Sequence, residues 1–182
     1  MSNYPVHTME SAPEGSKASL RELKNSLGMT PNLAAAMSES PELLRGFLAL
    51  RKVFYEGTFT PGEIQVLSLT NAYENGCRYC MALHSALALK EGVSKETVEA
   101  LREGRSPVEA KLRALSDFSR KLVKDRGRAD ASAFGAAGYT KAQALEVVLG
   151  IAVSILPNFA HHITECAVDD VFRSHLWTDP RS

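Results

Sequence analysis

Helix punctuation constrains this chain more than any other feature of its sequence. Thr60-Pro61-Gly62-Glu63 places a capping threonine, a proline in the first turn and a glutamate at the third helical position, which together make a capping box. Ser106-Pro107-Val108-Glu109 repeats the pattern, Thr140-Lys141-Ala142-Gln143 gives a weaker version, and Ser40-Pro41-Glu42 is another helix start. The stop signals match. Gly57 ends the helix that begins near Pro41, Asn75-Gly76 ends the one from Pro61, and Gly92 and Gly127 close two more. Between these marks Leu43, Phe47, Leu50 and Phe54 share one face, as do Leu115, Phe118 and Leu122. No run alternates apolar and polar residues with β-branched enrichment, so no sheet is expected.

The chain therefore reads as all-α, with helices expected near 17–26, 31–38, 41–56, 61–75, 77–91, 94–103, 107–126, 130–137 and 141–165, and a short one over 167–176. A flexible N-terminus (1–16) would precede a single domain (17–182). The stretch from Ala144 to Leu156 is apolar nearly all round, which marks a buried central helix or a subunit interface. Pro157 should kink or break it. With 182 residues and 45% hydrophobic content, the chain can bury one real core. Its 21 basic and 21 acidic residues are interspersed, and no basic stripe suggests nucleic acid. Met1 to Pro5 lacks the basic-then-apolar pattern of a signal peptide. Val147 to Leu156 is too short to span a bilayer and is interrupted by Gly150 and Ser154, so a soluble, cytoplasmic protein is expected.

Three cysteines do not make a disulfide framework, and a close pair in a reducing compartment points to catalysis or metal. The informative stretch runs from Glu74 through Asn75-Gly76-Cys77-Arg78-Tyr79-Cys80 to His84. The Asn75-Gly76 break puts Cys77 at or near a helix N-terminus, where N–H groups and the helix dipole favour a thiolate. His84 follows Cys80 by one turn on the same face and can accept a proton or stabilise the anion. Glu74 stands just before the break. A thiol, a second thiol, an imidazole and a carboxylate form a plausible proton relay. Two bland readings compete. The pair could be half a zinc site completed by Cys166, His161 or His162, or it could be inert core.

The pattern Glu-x-x-Cys-x-Tyr-Cys-x-x-x-His, after a proline-started helix, resembles the alkylhydroperoxidase D-like branch of the carboxymuconolactone decarboxylase family. The likeness is sharp from about Thr60 to Leu89 and diffuse from Pro31 to His162. It implies an all-α fold, a helical bundle around an antiparallel helical hairpin, assembled as a trimer or hexamer. It implies a thiol peroxidase, an antioxidant activity of alkyl hydroperoxide reductase type. The second cysteine would attack peroxide, a role that carries to Cys80. The first would donate a proton and then resolve to a disulfide, a role that carries to Cys77. His84 would be the base. The family glutamate twelve residues before the first cysteine is Gln65 here, so its role would fall to Glu74, and Tyr79 would be a possible relay member.

The cycle expected from this resemblance is attack by Cys80 on a hydroperoxide, condensation with Cys77, and reduction by an external dithiol, of lipoyl type or on another reductase chain. It calls for no cofactor and no metal. The rivals are a disulfide reductase with weak peroxidase activity, and a helical redox-sensing or zinc-binding module. Residues set aside are Cys166 as a small buried hydrophobe, His7, His175 and Trp177 as terminal, and His161 and His162. The last two are adjacent, so only one can face a pocket.

Overall fold

Thr60 and Glu63 close the capping box that the sequence encodes, and the helix they start becomes the centre of the molecule. The Thr60 hydroxyl accepts from the Glu63 N–H at 3.3 Å, and the Glu63 carboxylate accepts from the Thr60 N–H at 2.9 Å. The structure, a computed structural model, describes residues 4–182; the first three residues of the segment expected to be flexible lie outside it. The described residues form α1 (Glu14–Leu27), α2 (Asn32–Met37), α3 (Pro41–Tyr55), α4 (Pro61–Glu74), α5 (Arg78–Lys90), α6 (Lys95–Arg102), α7 (Ala110–Lys124), α8 (Ser132–Ala136), α9 (Lys141–Thr164) and a 3-10 helix, Asp170–His175, with no strand among them. The all-α reading holds. The last expected helix is the 3-10 turn, and the first begins three residues early.

The central helix is α4. It packs on α5, α6, α7 and α9, and Ile64, Val66, Leu67, Leu69 and Ala72 are buried around its circumference. Its polar residues are buried too, and each finds a partner. Thr70 donates to Ser116 at 3.0 Å, and Asn71 accepts from Ser119 at 3.1 Å and donates to Ser154 at 3.4 Å. These bonds fix α7 and α9 in register against α4.

Expectations for α9 need two corrections. Of the two alternatives for its apolar stretch, the helix buried all round is corrected: Val147, Gly150 and Val153 face the core, while Leu145 and Val148, and beyond the stretch Phe159 and Ile163, lie exposed. Nor does Pro157 break it; α9 runs 24 residues, through the proline, to Thr164. That makes it long and apolar enough to cross a membrane by length and composition, but here its inner side packs on α2, α3, α4 and α7. The capping box expected at Ser106–Glu109 does not form. Arg113 instead donates to the carbonyls of Pro107 and Val108, and Ser106 donates to Asp117 at 2.5 Å, which holds these residues as loop and delays α7 to Ala110. Ahead of α1, Ala12 is buried and His7 pairs with Glu39 at 2.7 Å.

Gly150 is where α9 comes closest to α3 and α4. A Cβ there would stand 2.7 Å from the Phe54 ring and 2.8 Å from Leu67. Gly150→Val should cost about 2 kcal/mol by overpacking and lower the melting temperature by roughly 4–8 °C. A thermal melt unchanged from wild type would contradict this packing.

Candidate active site

A glycine turn builds the site. Gly76 takes φ +65°, its N–H bonds the Tyr73 carbonyl at 3.0 Å, and the Cys77 N–H bonds the Ala72 carbonyl at 2.9 Å. This Schellman motif ends α4, and the next residue, Cys77, is the N-cap of α5. The Cys77 sulfur accepts from the Cys80 N–H at 3.3 Å. Both cysteines are fully buried and reduced.

The acidities of the two thiols are driven apart electrostatically. Burial opposes ionisation of Cys77. Hydrogen bonds from the Cys80 thiol, the His161 side chain and the Cys80 N–H outweigh it, and with the charge of His161 they bring the Cys77 thiol down to about 5. Burial pushes Cys80 well above the usual thiol range, and the charge on Cys77 pushes it further. The resting pair is therefore a Cys77 thiolate accepting a hydrogen bond from a protonated Cys80. Cys166 lies close enough to feel the charge on Cys77, and burial, with Asp169 and Cys77, pushes it up to about 11, so it stays a thiol at neutral pH.

His84 is placed differently from expectation. Its Nδ1 donates to the Gln65 side-chain oxygen at 2.8 Å, and burial together with the Arg51 charge holds it down to about 4. It is a neutral imidazole at physiological pH and cannot store a proton as the expected base would. The imidazole beside the thiolate is His161, from α9, one of the pair set aside in the sequence; its Nδ1 is buried with no partner. His162 points the other way and bonds the Asn75 carbonyl at 2.7 Å, pinning the glycine turn.

Two further expected relay members are engaged elsewhere. Glu74 is held by Arg120 at 2.8 Å and Lys124 at 3.6 Å, both on α7, so its carboxylate serves the α4–α7 contact rather than the cysteines. The Tyr79 hydroxyl donates to Asp169, which also accepts from the Asn32 N–H at 3.1 Å. Its proton is committed to that tie, and burial and Asp169 raise the phenol far above its usual range. The Tyr79 ring does face His161, with centroids 5.8 Å apart.

Asn158 completes the site and gave no signal in the sequence. Its oxygen accepts from the Asn75 side chain at 2.9 Å, and its side chain lies close enough to Cys80 to favour that thiol's ionisation against burial. It also lines a cleft of about 40 Å³ between α3, α5 and α9, with His84 and Ser68 among the other polar walls. The cleft thus approaches the pair from the Cys80 side. No three His, Cys, Asp or Glu side chains among the described residues converge as metal ligands would.

The carboxymuconolactone decarboxylase family model matches residues 41–118, which span α3 through the motif into α7. That segment, less than half of the chain, is similar to the family. No curated protein matches the chain. Solved structures share its fold across nearly the whole length. One is an uncharacterized peroxidase-related protein from Ralstonia eutropha JMP134, described as an alkylhydroperoxidase AhpD core, with TM-score 0.82, 22% identity and 94% of each chain covered. A second peroxidase-related protein, from Silicibacter sp. TM1040, has TM-score 0.76 and 17% identity over 95% of this chain and 93% of its own. The debrominase Bmp8, in complex with 2,3,4-tribromopyrrole, has TM-score 0.76 and 20% identity over 96% of both chains. At these identities the likeness establishes the AhpD-like fold.

If His161 holds the Cys77 charge, iodoacetamide should alkylate Cys77 with a pH midpoint near 5, the rate falling below that pH as the thiolate is protonated. In His161→Gln the midpoint should rise by about one unit or more. A midpoint in the ordinary thiol range for the wild type would contradict the assignment.

Proposed function

We propose that the chain is a dithiol peroxidase that reduces a hydroperoxide with Cys77 and Cys80. The observation that carries the reading is the capping geometry of the pair: the Cys77 sulfur accepts the Cys80 N–H at 3.3 Å, so the two thiols lie one helical turn apart, and Cys80 and His161 both favour a charge on Cys77.

The cleft lies on the Cys80 side, so Cys80 attacks. Passing its proton along the hydrogen bond to Cys77 makes Cys80 the thiolate. It takes the terminal hydroperoxide oxygen, the O–O bond breaks, and the alkoxide leaves with the proton from Cys77 as an alcohol. Cys80 is now a sulfenic acid and Cys77 a thiolate again. Cys77 attacks the Cys80 sulfur and forms the disulfide, and the expelled hydroxide leaves as water after taking one proton from the surroundings. Two thiols have lost two electrons and the peroxide has gained them. An external dithiol restores the pair by exchange. Neutral His84 offers a lone pair on Nε2 to orient the peroxide O–H, since Gln65 holds its Nδ1–H.

The reading places the chain in the cytoplasm, where such a pair is kept reduced. It also includes self-association through the exposed apolar side of α9, where Leu145 and Ile163 are 74% and 61% exposed.

One equivalent of hydroperoxide should remove two thiols and two mass units from the wild type, and Cys77→Ser should stop at a sulfenic acid on Cys80. A parallel reaction with 2,3,4-tribromopyrrole covers the second activity seen on this fold. Thiols that survive peroxide in both proteins would sink the peroxidase reading, and bromide release in its place would make the chain a dehalogenating thiol enzyme.

A further inference from the structure

Two sealed sulfurs need a way in for each of their reactants. Cys77 and Cys80 are 0% and 1% exposed. The cleft between α3, α5 and α9, walled by Arg51, Tyr55, His84 and Asn158, approaches them from the Cys80 side and has room for roughly three waters. A hydroperoxide group fits that width; a dithiol on a carbon backbone does not. The Cys77 side is covered by the last described residues. The 3-10 helix lies on α5. After it, Arg102 donates to the carbonyls of His175 and Leu176 at 2.9 and 2.8 Å, and buried Trp177 donates to the Arg102 carbonyl at 2.8 Å. Beyond this anchor the chain crosses the turn that carries Cys77. A Cβ on Gly76 would stand 3.2 Å from the Asp179 carboxylate and 3.7 Å from the Arg181 guanidinium. Thr178, Pro180, Arg181 and Ser182 are exposed. Arg181 ties this tip to the body of the protein: it stacks 4.3 Å from the centre of the Tyr73 ring and donates to the Tyr73 carbonyl, while Asp179 pairs with it at 2.7 Å. A firm base with an exposed tip held through one side chain is a segment that opens at low cost.

We propose that residues 178–182 are a strap that gates Cys77, and that the dithiol that reduces the Cys77–Cys80 disulfide enters across the Tyr73–Cys77 turn when the strap lifts. The gate does not depend on the peroxidase reading; its assignment to the reductant rests on it. In the reductive step one thiolate of the donor attacks the Cys77 sulfur, the Cys77–Cys80 bond breaks, and Cys80 leaves as a thiolate and takes up a proton. The donor's second thiolate then displaces Cys77, which leaves as a thiolate, and the donor closes its own disulfide. Two electrons pass from the donor to the pair. Separate entrances order the cycle. Peroxide reaches Cys80 through the cleft with the strap down, and Cys77 condenses with the sulfenic acid before an outside thiol can reach it.

The test is thiol access, independent of turnover. Reduced wild type, Arg181→Ala and Arg181→Lys are labelled at neutral pH with iodoacetamide and with iodoacetamidofluorescein, which share one chemistry and differ in size. Peptide mass gives the rates at Cys77 and at Cys166, a buried thiol away from the strap that gauges general loosening. Arg181 is exposed, and a thermal melt of each variant checks its fold. Loss of the stack and the hydrogen bond in Arg181→Ala should speed labelling of Cys77 by the larger reagent about tenfold and by the smaller one less, with Cys166 unchanged. Arg181→Lys keeps a cation on the Tyr73 ring and should fall between. The disulfide, formed with diamide, should be reduced by dithiothreitol about tenfold faster in Arg181→Ala as well. A Cys77 labelling rate or a disulfide reduction rate that Arg181→Ala leaves unchanged, or a gain at Cys166 equal to that at Cys77, overturns the proposal. A gated Cys77 in a protein whose thiols resist peroxide would leave the strap standing and remove the peroxidase reading instead.

Discussion

The site depends on a single chain reversal. Gly76 adopts a left-handed conformation that a side chain would strain, and a Cβ there would also meet Asp179 at 3.2 Å. Because that turn closes α4 and opens α5 within three residues, Cys77 inherits the capping position of α5 and Cys80 falls one turn later on the same face. The turn is in turn braced from outside. His162 bonds the Asn75 carbonyl, and the C-terminal residues Asp179 and Arg181 pack over Gly76, with Arg181 stacked on the Tyr73 ring. Trp177 anchors that tail by donating to the Arg102 carbonyl at 2.8 Å. The geometry of two sulfurs is thus held by contacts from α4, α5, α9 and the last residues of the chain.

Burial then decides how the pair ionises. Two thiols sealed from water cannot both carry charge, since each anion raises the cost of the other. The N-cap position settles which one does: Cys77 collects the Cys80 N–H, the Cys80 thiol and His161, while Cys80 has only Asn158 in its favour. The same enclosure that raises Cys80 strengthens the bond its N–H gives to the Cys77 sulfur, because no water competes for it. A proton can therefore move between the sulfurs without leaving the site, which a dithiol needs if one member is to attack and the other is to protonate the leaving group.

The fold was legible in the sequence wherever a local signal decided it. Thr60, Ser40 and Thr140 cap the helices they were expected to cap, and Asn75-Gly76 ends α4 as read. Local signals failed where a distant side chain overrode them, as when Arg113 and Asp117 captured the Ser106–Glu109 segment. The site divides along the same line. Cys77 and Cys80 were visible because their spacing is a property of one helix. His161 and Asn158 were not, since they reach the pair from α9, some eighty residues along the chain, and only the packing of α9 on α4 and α5 brings them in. Glu74 misled for the converse reason: it is adjacent in sequence but turned by the helix toward α7, where Arg120 and Lys124 claim it. A single sequence could have hinted at His161, for it lies one turn after Pro157 on the inner face of α9, but periodicity alone does not say what that face meets.

Gln65 ties these observations together. It occupies the position where the resemblance expects a glutamate, and it still bonds the histidine of the motif at 2.8 Å. A carboxylate there would favour a protonated His84 and oppose the effect of Arg51; an amide keeps the contact and removes the charge. With Gln65 neutral, His84 stays neutral, Arg51 has no acid to answer it, and the cleft is left with an uncompensated positive charge. Proton handling then falls to the other side of the pair, where His161 faces Cys77. An amide nitrogen in place of one carboxylate oxygen in a buried side chain is thus enough to separate two electrostatic environments: on one side of α5 Gln65 holds a neutral His84, and on the other His161 favours the charge on Cys77.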